Sequence, residues 1–361
     1  MSVIEPSHQS ARFWLEKLQA LPERDNTFRI LNVCGGHERS IAHAGLRSLL
    51  PDWIELVPGP GCPVCVCSNE DLNAAIRLAR QGKVLVAYGD MLRVPTQRRD
   101  SLQAAKADGA DIRPVASPLD ALDIALSLPD QQVVFFAAGF ETSFAPLAAV
   151  LTQMPQPDNL YYLTVGKQTW PAVEKLLSED HAHRLHGLIA PGHVATIMGA
   201  EQWRFCADDF KLPTAVCGFT SESLLQGVYW LLTTPEPGLH NAYPEVVNDQ
   251  GNLRAQQQLL SAFDIVAGHW RGLGEIEQSA YQLAPTFADR DARKLWPEVL
   301  ISDELPNTMP KGCRCADVVM ARALPSECPL FRQGCTPAAP QGPCMVSEEG
   351  ACQIWFSQGQ R

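Results

Sequence analysis

Apolar, β-branched and aromatic residues gather into short runs at 28–33, 53–57, 84–88, 133–138, 161–165, 187–190 and 214–216. Each run has the length of a buried strand. Stretches with helical spacing lie between several of them. Leu72, Ala75, Ile76 and Ala79 recur at i, i+3, i+4 and i+7, behind Ser68 as a capping residue with Asp71 three positions on. Residues 119–128, 145–152 and 223–232 also read as helices. So does 253–266, with Leu259, Leu260 and Phe263 as its apolar face. Strand–helix alternation predicts an α/β protein with parallel sheets flanked by helices.

The ends of these strands carry a recurring signal. Cys34-Gly35-Gly36-His37, Pro58-Gly59-Pro60-Gly61-Cys62, Gly89-Asp90, Gly139-Phe140-Glu141-Thr142, Gly166-Lys167, Pro191-Gly192-His193 and Gly218-Phe219 each close a run. Glycine lets the backbone turn sharply there. In open parallel sheets ligands sit beyond the carboxyl ends of the strands. The series therefore points to sites in a shared crevice, although any single glycine can serve a turn alone. Proline and glycine cluster at 236–245, a plausible boundary, and from Lys311 onward periodicity disappears. That tail needs a cofactor or cross-links for its order.

Composition narrows the function. The net charge is −11 over 361 residues, which argues against broad binding to nucleic acid or anionic membranes. No apolar run approaches the roughly 20 residues of a membrane span. The N-terminal residues lack a basic segment followed by an apolar core, so no secretory signal is expected and the cytoplasm is the expected compartment. There are 12 cysteines. In a reducing compartment, clustered cysteines bind metal or do redox work more often than they staple the fold.

Cys62-Pro63-Val64-Cys65 is a C-x-x-C pair before a helix start, where the dipole favours a thiolate. It suits a dithiol/disulfide couple. It equally suits half of a zinc site completed by Cys67 and Cys34. Cys34 and His37 flank two glycines that allow close backbone approach; His37 could hold Cys34 as thiolate or share its metal. In the tail, Cys313, Cys328, Cys335 and Cys352 are separated by 14, 6 and 16 residues, with Cys315 and Cys344 between them. Four thiolates hold an iron–sulfur cluster or a structural zinc, and spacing does not choose four of six. Glu141 is a base, a metal neighbour or a helix N-terminal acid. His193 and Asp90 are crevice or loop residues, and Cys206 and Cys217 read as packing residues.

The motifs CGGHE (34–38), GPGCPVCV (59–66), YGDMLRVP (88–95), SPLDAL (117–122), VVFFAAGFET (133–142), APGHV (190–194), WRGLGEI (270–276), ECPLF (327–331) and GPCMVSEEGAC (342–352) resemble the HypD family of [NiFe]-hydrogenase maturation proteins. The resemblance runs in order from about 29 to 355. It implies two Rossmann-like domains, 27–130 and 131–240, and a third, mostly helical or irregular, from 1–26 and 241–361. That third domain would hold a [4Fe-4S] cluster on Cys313, Cys328, Cys335 and Cys352. The resemblance implies Cys34 as ligand of the iron being assembled, with His37 nearby, Cys62 and Cys65 as the redox pair, and Glu141 in the GFET motif. The implied function is assembly of a Fe(CN)2(CO) unit together with a HypC-like chaperone, with cyanide from a HypE-like donor. On that view the chain is a scaffold with thiol redox chemistry, not an enzyme in the ordinary sense. Gly36, Cys67, Ser143 and Thr220-Ser221 depart from the family pattern. Two other readings stay open here. One is a cytosolic thiol–disulfide oxidoreductase with a structural metal site; the other is a zinc-stabilised binding protein.

Overall fold

The computed structural model describes residues 10–301 and 309–359. In chain order the strands are β1 (Phe28–Asn32), β2 (Ile54–Pro58), β3 (Val84–Tyr88), β4 (Ile112–Val115), β5 (Val133–Gly139), β6 (Leu160–Lys167), β7 (Gly187–Pro191), β8 (Thr214–Cys217), β9 (Leu239–Ala242), β10 (Phe263–Trp270) and β11 (Gly274–Leu283). They form two sheets. One has the order β2-β1-β7-β8-β9, and its strands are all parallel. The other has the order β10-β11-β6-β5-β3-β4, parallel from β6 to β4 and antiparallel at β10 and β11. The α/β class follows from the sequence pattern, and each apolar run named above lies on a strand.

The residues of β5 explain its place at the heart of the second sheet. Val-Val-Phe-Phe-Ala-Ala-Gly is buried at every position, as a strand covered on both faces must be. Val134, Phe136 and Ala138 join the core on one face; Val133, Phe135 and Ala137 join the core on the other. Helix Asn69–Arg80 begins as its sequence indicates, with Ser68 Oγ accepting from the Asp71 N–H at 3.0 Å.

The chain does not change sheets at 130/131. That position falls between β4 and β5, which belong to one sheet. β1 and β2 instead share a sheet with β7, β8 and β9, so the segment holding β3 to β6 is inserted between β2 and β7. Local patterning marks strands but not their neighbours, because every parallel pairing requires a crossover. The helix expected over 253–266 ends at Ala262, and Phe263 opens β10. Leu259 is buried, but Leu260 is 71% exposed. The apolar spacing runs on into Phe263, while Ile265 and Val266 are β-branched and prefer the pleated surface. Helix Ala11–Gln19 lies on helix Ser221–Thr233, with the Trp14 and Tyr229 rings 5.5 Å apart.

Residues 309–359 contain the short helices Cys315–Val319 and Ala351–Ser357 joined by turns. Trp355, Met345 and Val318 pack into the same core as helix Asn69–Arg80. The cysteine-rich segment is therefore built onto the sheets. No described helix is long and apolar enough to cross a membrane.

Candidate functional site

The carboxyl ends of β1 and β2 lie side by side, with Asn32 opposite Pro58. The CGGHE and GPGCPVC loops leave from those ends and close on each other. The Gly35 N–H donates to the Gly61 carbonyl at 3.1 Å. A Cβ on Gly61 would lie 2.5 Å from Cys34 Cα and from Gly35 N. Only glycine permits that backbone approach. It brings Cys34, Cys62 and Cys65 to one narrow pocket, together with Glu349 and Cys344 from the tail.

Cys34 caps helix Gly35–His43 and is half-buried. Desolvation pushes its thiol up to about 12, against the opposing pull of the nearby His37 and Gly36 amides, to which its sulfur makes no capping hydrogen bond. At neutral pH it is a thiol, and a metal ion must displace its proton. Cys62 and Cys65 are joined as a disulfide. Both are buried, and the Cys65 N–H donates to Cys62 Sγ at 3.2 Å.

His37 is fully buried. Its Nε2–H donates to the Cys217 carbonyl at 2.9 Å, and Nδ1 has no hydrogen-bond partner. Burial holds its pKa down at about 4. The ring is therefore neutral and does not supply the positive charge that would keep Cys34 as thiolate. Its free Nδ1 lone pair is an acceptor. Phe219 stacks on His193 at 3.8 Å between ring centroids and leans on His37 at 4.5 Å. A Cβ on Gly36 would reach the Phe219 ring at 2.8 Å, so glycine here makes room for that ring.

Sequence reasoning assigns Glu38 no role of its own. It is 2% exposed and takes Arg47 at 2.8 Å, Asn32 Nδ2 at 3.2 Å and Trp355 Nε1–H at 2.7 Å. It thereby ties the Cys34 loop to the C-terminal helix that carries Cys352. Asp90 makes a similar tie by accepting from the Ser347 hydroxyl at 2.8 Å.

Glu141 does not line this pocket. It is fully buried at the start of helix Glu141–Gln153 and accepts from the Thr169 N–H at 2.7 Å and its hydroxyl at 2.6 Å. Burial raises its pKa. Of the three roles open to it, the geometry matches the helix-end acid: it caps helix Thr169–Leu177. Cys206 and Cys217 are core residues, as expected. Cys67 is buried, and its S–H donates to the Ser68 carbonyl.

The tail brings Cys313, Cys315, Cys328, Cys335, Cys344 and Cys352 round a second pocket, closed by Phe331 and Met345. The donor set is entirely sulfur, which suits an iron–sulfur cluster. The Gln341 N–H donates to Cys335 Sγ and the Cys352 N–H to Cys344 Sγ, each at 3.3 Å. A Cβ on Gly342 would lie 2.7 Å from Cys313 Sγ, so that glycine keeps the cradle open. Among the described residues no three His, Cys, Asp or Glu side chains are gathered as for a single metal ion. Cys315 lies in the pocket beside Cys313 and Cys344, whose thiols act on its own. Cys344 lines both pockets; its position between Cys335 and Cys352 is visible in the sequence, its bridging place is not.

The HypD profile, described as the hydrogenase formation hypA family, matches residues 9–359. The chain is 38% identical to the hydrogenase maturation factor HypD of Escherichia coli K12 over 347 residues, covering 93% of this chain and 91% of that protein. It is 36% identical over 357 residues to HypD of Rhizobium leguminosarum bv. viciae, covering 95% and 91%. With HypD of Azotobacter vinelandii it shares 36% over 363 residues, covering 98% and 95%. A profile match across nearly the whole chain, together with relatives of equal extent, establishes that this chain belongs to the HypD family of hydrogenase maturation factors.

Proposed function

We propose that the protein is a cytoplasmic scaffold on which the Fe(CN)2(CO) unit of a [NiFe]-hydrogenase is assembled. Cys34 supplies a thiolate to the iron in transit, and a HypC-like chaperone supplies further ligands. A HypE-like donor brings cyanide as a thiocyanate group. The observation that carries this reading is the meeting of Cys34 with the Cys62/Cys65 pair in one pocket, walled by a cysteine of the six-cysteine pocket.

Release of cyanide from a thiocyanate takes two electrons, and a dithiol holds two. One thiolate of the reduced pair attacks the thiocyanate sulfur. A mixed disulfide forms and cyanide leaves beside Cys34. The second thiol then displaces the donor's thiolate and closes the Cys62–Cys65 disulfide. The donor's sulfur is reduced and the pair is oxidised; the two thiol protons leave with cyanide and the donor thiol. The oxidised pair is the form described above.

Cys313, Cys328, Cys335 and Cys352 would hold a [4Fe-4S] cluster, which supplies single electrons when bound. Cys344, which lines both pockets, lies between those ligands and the pair. Buried sulfur at both cysteines of the pair, 4% and 0% exposed, favours a small or inserted substrate over general exchange with protein disulfides.

The test is anaerobic reconstitution with ferrous iron, the chaperone and the thiocyanate-bearing donor, followed by infrared spectroscopy of the cyanide and carbonyl stretches. Cys34→Ala is expected to lose the iron-bound cyanide bands with circular dichroism unchanged. Bands of full intensity in that variant would remove Cys34 from the reading.

A further inference from the structure

A cavity of about 310 Å³ opens beside β6, on the helix Asn69–Arg80 side of the six-stranded sheet. It shares no lining residue with the Cys34 pocket. Lys167, the last residue of β6, lines it and is only 4% exposed. Its ammonium makes no hydrogen bond or ion pair among the described residues. Room for it is left by Gly268, where a Cβ would come within 3.2 Å of Nζ. Asp71 acts on it through space without an ion pair, its carboxylate being bound to Arg293 at 2.6 Å. Asp291 is occupied as well, accepting from the Arg293 N–H at 3.0 Å. Burial holds the Lys167 pKa below the ordinary lysine range, against the pull of Asp71 and Cys67.

A buried, unpaired ammonium is costly, and an anion from solution relieves that cost. The start of helix Asn69–Arg80 also faces the cavity through Ser68, Glu70 and Asp71, and its dipole favours negative charge. The local balance limits how much charge is welcome. Lys167, Arg293 and Lys294 are offset by Glu70, Asp71 and Asp291. The three carboxylates repel a multiply charged phosphate more strongly than a monoanion, and Lys167 is the buried one of the two lining lysines. Val165, Val266, Ala280 and Leu300 give the wall an apolar part, beside the polar Thr164, His269 and Gln282.

We propose that this cavity binds a small organic monocarboxylate, its carboxylate on the Lys167 ammonium and its short apolar tail on Val165, Val266, Ala280 and Leu300. The site stands apart from the thiol chemistry and does not depend on it.

Calorimetric titration of the full chain with butyrate, acetate and inorganic phosphate tests this. Butyrate is expected to bind more tightly than acetate, and acetate more tightly than phosphate. Lys167→Met is expected to weaken butyrate by about tenfold or more, the worth of one charge-assisted hydrogen bond. Equal butyrate affinity in that variant, preference for phosphate, or no binding by the unmodified chain would each overturn the proposal. Should Lys167→Met not fold, reductive methylation of the unmodified protein probes the same contact. Butyrate is expected to protect Lys167 from modification, and identical labelling with and without it would overturn the assignment.

Discussion

Replacing Gly61 by Ala tests whether contact between the two cysteine loops is what makes the site. The added Cβ would sit 2.5 Å from Cys34 Cα, 2.5 Å from Gly35 N and 2.6 Å from the Cys34 carbonyl carbon. All three are backbone atoms, so no side-chain rotation relieves the overlap. Ordinary contact begins near 3.4 Å, and the loops must part by about 0.9 Å. Overpacking of this kind costs about 1–3 kcal/mol. Straining the 3.1 Å bond from the Gly35 N–H to the Gly61 carbonyl adds about 0.5–1.5 kcal/mol. Urea unfolding is therefore expected to show a loss of about 1.5–4.5 kcal/mol. The functional loss is expected to be larger. A misplacement of about 1 Å between reacting groups costs on the order of a hundredfold in rate. Single-turnover cyanide release from the thiocyanate-bearing donor, with the Cys62/Cys65 pair reduced beforehand, reads that loss. Gly89→Ala is the control, since a Cβ there meets nothing within 4 Å. If Gly61→Ala matched Gly89→Ala in both stability and rate, neither the site nor its chemistry would depend on this contact.

Three other outcomes are expected. His37 titrates near 4 when folded against 6.5 in the free side chain, so the unfolded chain takes up the proton first. Stability then falls as pH drops from about 6.5 to about 4, by up to roughly 3 kcal/mol; His37→Asn should flatten that part of the acid-denaturation curve, and an unchanged curve would contradict it. Glu141→Ala leaves the Thr169 N–H and hydroxyl without their acceptor and should cost about 2–4 kcal/mol in thermal unfolding. Glu141→Gln should keep most of that stability and the full iron–cyanide yield per folded chain, whereas a folded but inactive Gln variant would make Glu141 a proton-transfer group. Cys313→Ser should lose cluster iron, while Cys344→Ser should keep about four iron and four sulfide per chain and stop cyanide release after the first pass; continued release would take Cys344 out of the electron path.

Much of the fold is legible in local pattern, and the exceptions have specific causes. β5 announces itself because a strand covered on both faces has no polar positions. β4 escapes the pattern because Ile112-Arg113-Pro114-Val115 sits at the sheet edge, where arginine and proline are tolerated and mask the apolar signal. The start of β10 reads as helix because Leu259 and Phe263 happen to keep a four-residue spacing across a boundary. Sheet membership is hidden for a different reason, since pairing β1 with β7 depends on residues some 150 positions apart and leaves no local trace. Cys34, Cys62 and Cys65 are legible because glycine-rich turns at strand ends mark the crevice. Glu38 is not, because a glutamate with three buried donors looks in sequence like any helix-surface acid. Gly166-Lys167 is legible as a strand end, but the burial of Lys167 is not: it is created by Gly268 and Ala280, contributed by strands that come about a hundred residues later.

The insertion of one sheet into the other sets the order in which the protein can become competent during synthesis. A chain emerges from its N-terminus onward. Cys34 and the Cys62/Cys65 pair emerge among the first residues, yet β1 has only β2 beside it until β7 follows. The last wall of the pocket, Cys344 and Glu349, and the Trp355 clasp on Glu38 come later still. A nascent chain therefore exposes its thiols before the pocket around them is closed. On the proposed function, loading would belong to the finished protein, and chains halted before residue 355 are expected to present Cys34 as an open, oxidisable thiol that quality control can recognise.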